Sequence, residues 1–333
     1  MYRSHPACRM ATAFLTTSAV MLTGAQSVQA ADAYPVKTIR VVIGFTAGGN
    51  SDAMARPMAR RLSEATGQQV IIDNRPGASG NIGMELVARA APDGYTIFSG
   101  PASSLTVNPH IAERMPIDTL RDLAPVVSLG QFTSVLVAHP SLPAKTVADL
   151  IALAKQRPGQ ITFASPGNGT GFHLAGELFK LHAGVKALHV PYAQISPMLA
   201  DLMGGRVDMM FFSVAVVAPH VKAGKLRAIG TTGRERSPAM PDVPTFRESG
   251  LPSYEYSAWH GIFAPATMPK ELVERLNELI GKVLALPDVR DFYISQNVYP
   301  MPMTPTALAE RLRAEHEKWR KVIRDAGIKP GSV

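Results

Sequence analysis

Short apolar runs alternate along this chain with longer stretches whose apolar positions recur every three or four residues. The runs suit strands buried on both faces of a parallel sheet, and the stretches have the period of amphipathic helices. Their alternation predicts an α/β fold. The first unit spans Arg40 to Asp52: Val41, Val42 and Ile43 form a run, Gly48 and Gly49 a tight turn, and Asn50 or Ser51 can cap a helix through Met54, Met58, Leu62 and Ala65. Amides left unpaired at such a helix start suit an anion, and an ordinary strand-to-helix connection has the same pattern. Pro57 removes one hydrogen bond from this helix and predicts a kink, or a restart at Arg56-Pro57.

A second strand is expected over residues 67–73, a loop over 74–80, a helix from Asn81 to Ala91 and a third strand from Tyr95 to Ser99, with Ser103 and Ser104 just beyond it. Strand, helix, strand, helix, strand is a doubly wound unit, which holds ligands beyond the carboxyl ends of its strands. Two strands follow without a helix between them, Val126 to Leu129 and Val135 to Ala138. Thr146 and Asp149 form a capping box, residues 160–164 read as a strand, and Ser165 to Gly171 is a second glycine-rich turn into a helix through Leu174 and Leu178. Strands over 187–191, 207–213 and 226–230 alternate with helices over 198–204 and 217–223. A strand from Tyr254 to Ala264 returns the chain, and two helices begin at Pro269 and Pro305. The prediction is two doubly wound domains facing each other across a central cleft. Residues 31–131 and 256–333 make the first and 132–255 the second, since some 300 residues exceed one comfortable core.

The N-terminus stands apart. Arg3 and Arg9 precede an apolar segment from Met10 to Ala25, and Val28-Gln-Ala30 has small residues where a signal peptidase reads, so residues 1–30 are expected to be a leader cleaved near Ala30. The segment is interrupted by threonines and is short for a span of ~20 residues. The only cysteine, Cys8, leaves with it. The whole chain carries 34 basic and 26 acidic residues; without Arg3 and Arg9 the net charge is +6. The basic residues are scattered over amphipathic helices, which argues against nucleic acid, and no later apolar run is long enough to cross a membrane.

Candidate chemistry is sparse. Gly44 and Gly49 have P-loop spacing, but Asn50 stands where the phosphate-binding lysine must be, and no Gly-x-Gly-x-x-Gly is present. His173 and Glu177 share a helix face and could supply two metal ligands. The His-Glu-x-x-His pattern and a third ligand are missing, and His173 is better placed to support the glycine turn. No Gly-x-Ser-x-Gly elbow occurs, and Ser165 has no base assigned by the sequence. Neither an enzyme nor a cofactor is expected.

Phe45-Thr-Ala-Gly-Gly-Asn-Ser-Asp52, Asn74-Arg-Pro-Gly-Ala-Ser-Gly-Asn-Ile-Gly83, Pro92-Asp-Gly-Tyr-Thr96, Asp208 with Phe211, Pro241-Asp-Val-Pro-Thr245 and Trp259-His-Gly-Ile-Phe-Ala-Pro265 occur in this order. Together they resemble the Bug receptors, the TctC-like solute-binding proteins of tripartite tricarboxylate transporters. The resemblance implies a periplasmic Venus-flytrap fold of the type II binding-protein class that closes on a small molecule, commonly a carboxylate. It implies delivery to membrane permease subunits, with sensing as the role of some relatives. It maps two gripping loops onto Phe45, Ala47, Gly48, Gly49, Ser51 and Asp52 and onto Ser165, Gly169, Thr170 and His173, with Ser103, Tyr192 and Ser213 at nearby strand ends. Asp52 would stabilise its own helix start or receive a ligand ammonium or hydroxyl. Where the family usually has a basic residue and glycine after Val190-Pro-Tyr192, this chain has Ala193-Gln194-Ile195, so a charge suited to a dicarboxylate is missing. Phe172 and Trp259 would favour a flat or apolar ligand body.

Overall fold

The computed structural model describes residues 34–325, 327 and 328. The expected leader, its cleavage point near Ala30 and Cys8 lie outside them. Strands β1 (Ile39–Ile43), β2 (Val70–Asn74) and β3 (Thr96–Pro101) are parallel, in the order β2-β1-β3. Helix α1 (Asn50–Thr66) connects β1 to β2, and a 3-10 turn at Ala78–Gly80 leads into α2 (Asn81–Ala88) before β3. The face of α1 made by Met54, Ala55, Met58, Ala59 and Leu62 is buried. The helix runs through Pro57 without a break, because packing of that face outweighs one lost hydrogen bond. Its N-cap is Gly49 rather than Asn50 or Ser51, and no side chain caps it.

After the short helices α3 (Ala102–Thr106) and α4 (Asn108–Ile111), the two strands expected near residues 126 and 135 are one. β4 (Leu123–Ala138) is a single strand of 16 residues. Register shifts between Pro125 and Val127 and between Ser128 and Gly130 scramble its alternation and disguise its continuity. Leu123 to Thr133 pairs antiparallel with β9 (Ser257–Pro265), which itself pairs antiparallel with β3. Residues Gly130 to Phe132 also pair with β10 (Val298–Pro300), a strand the sequence does not announce. From Ser134 onward, β4 pairs with β7 (Met209–Ser213) and β8 (Arg227–Thr231), and so enters a second sheet.

That second sheet is completed by β5 (Thr162–Ser165), parallel to both β6 (Leu188–Pro191) and β7. Its helices are α5 (Val147–Gln156), α6 (Gly171–Ala183), α7 (Ile195–Met203) and α8 (Val214–Lys222). The capping box of Thr146 and Asp149 forms at the start of α5. β9 begins at Ser257 rather than Tyr254, because Tyr254 and Tyr256 are buried in the core that holds β5, β7 and α6. Three C-terminal helices follow instead of two: α9 (Lys270–Leu284), α10 (Pro287–Ser295) and α11 (Pro305–Asp325), with Pro287 in the first turn of α10. α11 bridges the cores. Leu308 and Leu312 pack with Phe98, Trp259 and Phe263, whereas Trp319, Val322 and Ile323 join Leu174, Phe179 and Tyr256.

Where β4 passes between the sheets, Thr232 takes over its pairing. The Ser134 N–H donates to Thr232 Oγ1 (2.9 Å), the Thr232 N–H to Ser134 O (2.9 Å), and the Tyr256 N–H to Thr232 O (2.9 Å).

The turn after β1 is packed backbone against backbone. A Cβ on Gly44 would lie 2.5 Å from Gly80 Cα and 2.8 Å from Gly80 O, whereas one on Gly281 in α9 would meet nothing within 4 Å. Gly44→Ala is therefore expected to cost ~1–3 kcal/mol and Gly281→Ala to add ~0.5–1 kcal/mol, read as opposite shifts of the urea midpoint. Equal midpoints for the two variants would contradict the Gly44–Gly80 contact.

Candidate ligand-binding cleft

A cavity of about 260 Å³ opens where the loops beyond β1, β3 and β5 meet. Asn50 and Ser51 line it from the start of α1, Gly171 and Phe172 from the start of α6, and Ile195 from the start of α7. Each helix start leaves amides without intrahelical partners, and neither α1 nor α7 has a side-chain cap. Partial positive charge therefore converges on the cavity from three sides.

The loops that present these amides are held from behind. Gly48 takes the left-handed conformation (φ 80°) at the turn, and its N–H donates to Asp52 Oδ2 (3.0 Å). Asp52 also accepts from Arg56 Nε (2.7 Å) and Nη2 (2.9 Å) and from Asn74 Nδ2 (3.2 Å). Burial alone would raise its pKa, but these hydrogen bonds outweigh it and hold the carboxyl below its usual range. Asp52 is thus fully engaged in its own helix start. On the other side, Thr170 is the N-cap of α6, accepting from the His173 N–H (3.4 Å), and the Gly169 N–H donates to His173 Nδ1 (3.1 Å).

His173 Nε2 stands 3.5 Å from Glu177, which also binds Lys180 Nζ (2.7 Å). Both His173 and Glu177 are buried, and among the described residues no group of three or more His, Cys, Asp or Glu could hold a metal ion. The pair supports the turn. Ser165 does have a histidine beside it, His189, with Nε2 at 2.7 Å from Oγ. The Ser165 hydroxyl donates to Gly167 O (2.9 Å), so it accepts from His189, and the serine is fully buried. This is the reverse of an activated nucleophile.

Of the residues expected to grip a ligand, Phe45, Gly49, Ser51, Ser103, Gly169 and Thr170 line the cavity, as do Phe172 and Trp259. Ala47, Gly48, Asp52, Ser165, His173, Tyr192 and Ser213 do not. Ala47 and Gly48 lie on the exposed side of the turn, and Asp52, Ser165 and His173 are spent on loop geometry as described. The Tyr192 hydroxyl donates to Asp201 Oδ2 (2.8 Å), and Ser213 lines a separate cavity of about 50 Å³ beside Phe292 and Gln296.

Several wall residues were not legible in the sequence. Ser79 and Asn108 belong to a network in which Asn108 Nδ2 donates to Ser79 O (3.0 Å) and Asn81 Oδ1 (2.7 Å), and Ser104 Oγ donates to Ser79 O (2.8 Å). His260 Nε2 is 2.9 Å from Ser51 Oγ, and burial pushes the imidazole down to a pKa of about 3, so it is neutral. Glu315 and Trp319 reach the cavity from α11. Among the described residues, no lysine or arginine lines it.

The description "Tripartite tricarboxylate transporter family receptor", TctC, matches residues 54–328. The chain belongs to this family. It is 41% identical over 304 residues to the protein of the tcbD-tcbE intergenic region of a Pseudomonas species, covering 91% of this chain and 90% of that one. Among solved structures it resembles R. palustris Rpa4515 with adipate, at 35% identity and a TM-score of 0.82, over 89% of this chain and 99% of the other. It also resembles periplasmic binding protein BugD, at 29% identity and a TM-score of 0.79, over 89% and 100%. The mixed α/β architecture of this TctC-family solute-binding receptor is therefore that of periplasmic binding proteins. Among the described residues no helix is long and apolar enough to cross a membrane.

One buried and one half-buried histidine give the receptor a pH signature. Burial lowers both His260 and His189, the latter further through its contact with His173, each to a pKa of about 3. An unfolded histidine titrates near 6.5, so below that pH the unfolded chain gains protons that the folded chain refuses, and stability falls as pH drops from about 6.5 towards 3. The thermal midpoint should decline between pH 7 and pH 4, and less steeply in His260→Gln. A midpoint independent of pH over that range would show that these histidines are not held neutral.

Proposed function

We propose that this chain is the receptor of a tripartite tricarboxylate transporter, which captures a small carboxylate between two domains and hands it to membrane permease subunits. The observation that carries this reading is the convergence of three helix N-termini on a cavity that no lysine or arginine among the described residues lines, an arrangement suited to an anion held by main-chain amides and hydroxyls. Phe45, Gly49, Ser51, Ser103, Gly169 and Thr170 form the grip, while Asp52, Ser165 and His173 keep its loops in shape. The adipate held by the R. palustris neighbour supports a carboxylate as ligand.

Residues 31–131 and 256–333 act as one domain and residues 132–255 as the other, closing about Thr133–Ser134 and Tyr256–Ser257. Ligand contacts from both sides supply the differential affinity that favours closure. Residues 1–30 direct export and are removed near Ala30, leaving a periplasmic receptor. The role is binding without catalysis and without a cofactor.

A thermal-shift screen against carboxylates tests this reading, since a ligand at ~100 times its dissociation constant adds ~2.7 kcal/mol of stability. With a bound ligand, calorimetry should show Ser51→Ala losing ~0.5–1.5 kcal/mol. Gly49→Val, which narrows the approach to the amides, should lose more. X-ray scattering should record a smaller radius of gyration with ligand than without. If no carboxylate shifts the melting curve, or Gly49→Val binds like wild type, the main-chain anion site is wrong.

A further inference from the structure

Among the described residues, the only charged side chain lining the cavity is an acid, Glu315. Its Oε1 accepts from Trp259 Nε1 (2.7 Å) and Arg311 Nε (2.9 Å), which fixes the carboxylate in place. Oε2 has no partner among the described residues, and the side chain, which lines the cavity, is 20% exposed. Arg311 does not line the cavity; its guanidinium lies over the Trp259 ring, 5.1 Å from the centroid. Much of the cavity wall is aromatic. Phe172 and Phe212 stand with ring centroids 4.5 Å apart, and Tyr256 and Trp319 with theirs 5.9 Å apart. Both tryptophans of the chain, Trp259 and Trp319, line the space.

An acceptor among aromatic rings, in a cavity whose anion grip is already supplied by helix N-termini, constrains the rest of the ligand. Resting on the receptor reading above, we propose that the ligand is an aromatic monocarboxylate whose ring carries a hydrogen-bond donor, a hydroxyl or an amino group, directed at Glu315 Oε2. The carboxylate lies at the helix N-termini, the ring packs between the aromatic side chains, and the donor completes the unused half of the Glu315 carboxylate. A second carboxylate on the ligand would face Glu315 Oε2 as an acceptor with no proton to give, and Arg311, already paired with Oε1 from behind the Trp259 ring, does not line the cavity to receive it. Aliphatic dicarboxylates are thereby selected against, as is an aromatic dicarboxylate.

The test is calorimetric titration of the purified protein with benzoate, 4-hydroxybenzoate, 4-aminobenzoate, terephthalate and adipate, with tryptophan fluorescence as a second readout. In wild type, 4-hydroxybenzoate and 4-aminobenzoate should bind about tenfold tighter than benzoate, as expected for a hydrogen bond to a charged acceptor, and both dicarboxylates more weakly. Emission from Trp259 and Trp319 should change on binding. Glu315→Gln keeps an oxygen for Trp259 and presents an amide donor instead, so the preference for 4-aminobenzoate over benzoate should collapse and terephthalate should tighten. Adipate or terephthalate binding wild type most tightly would overturn the proposal and leave the receptor reading intact. An unchanged ranking in Glu315→Gln would overturn the role of Glu315. Binding of none of the five would overturn the aromatic ligand, and the wider carboxylate screen would decide the receptor reading separately.

Discussion

A single strand shared by two sheets is the constraint on which the molecule depends. β4 runs 16 residues, pairs with β9 and β10 up to Thr133, and continues from Ser134 against β7 and β8. Because side chains alternate along a strand, a slip of one residue would turn both cores inside out together. The registers of the two sheets are therefore one register. At the crossing point the pairing passes through Thr232, whose backbone and hydroxyl bind Ser134 and whose carbonyl receives the Tyr256 amide. This links three separate stretches of chain by main-chain geometry, and the cleft opens beside it.

Charge in the cleft follows from how the loops are closed. Asp52 sits at the start of α1, where a carboxylate would ordinarily compete with an anionic ligand. Its bonds to Arg56, Asn74 and the Gly48 amide turn it inward and neutralise it locally. His260 is kept neutral by burial and presents Nε2 to Ser51. What faces the cavity is a set of amide dipoles at one place and the Glu315 carboxylate at another. Such a cavity is polarised without containing a cationic side chain.

The strand and helix order of both halves was legible because each element carries its own period, and the two glycine-rich helix starts announced the cleft. Three things were hidden, each for a physical reason. The continuity of β4 is masked by Pro125, Gly130 and two register shifts, which erase the alternation that marks a strand. The start of β9 was misplaced because Tyr254 and Tyr256 are apolar enough to extend the strand but belong to a different core. Glu315 and Trp319 could not be assigned to the site because, at helical spacing, they read as one polar and one buried position of an ordinary amphipathic helix. Only the path of α11 across both cores brings them to the cavity. Ser165, Tyr192 and Ser213 illustrate the converse: a strand end close to the cleft does not decide which way a side chain is committed.

The main-chain grip proposed above has a genetic consequence. A backbone amide is supplied by every amino acid except proline, so almost no point mutation at Asn50, Ser51 or Phe172 can delete the donor at that position. On the proposed reading, the part of the site that recognises the common chemistry of acids is lost to mutation only through proline or through a side chain that crowds its glycines, such as Gly171 against the Tyr256 hydroxyl. The aromatic walls and the α11 positions that close the cavity are fully exposed to mutation, since one codon change at residue 315 reverses the polarity of that wall. A scaffold divided in this way can be redirected from one acid to another by drift in a few side chains, while the capacity to hold an acid persists throughout.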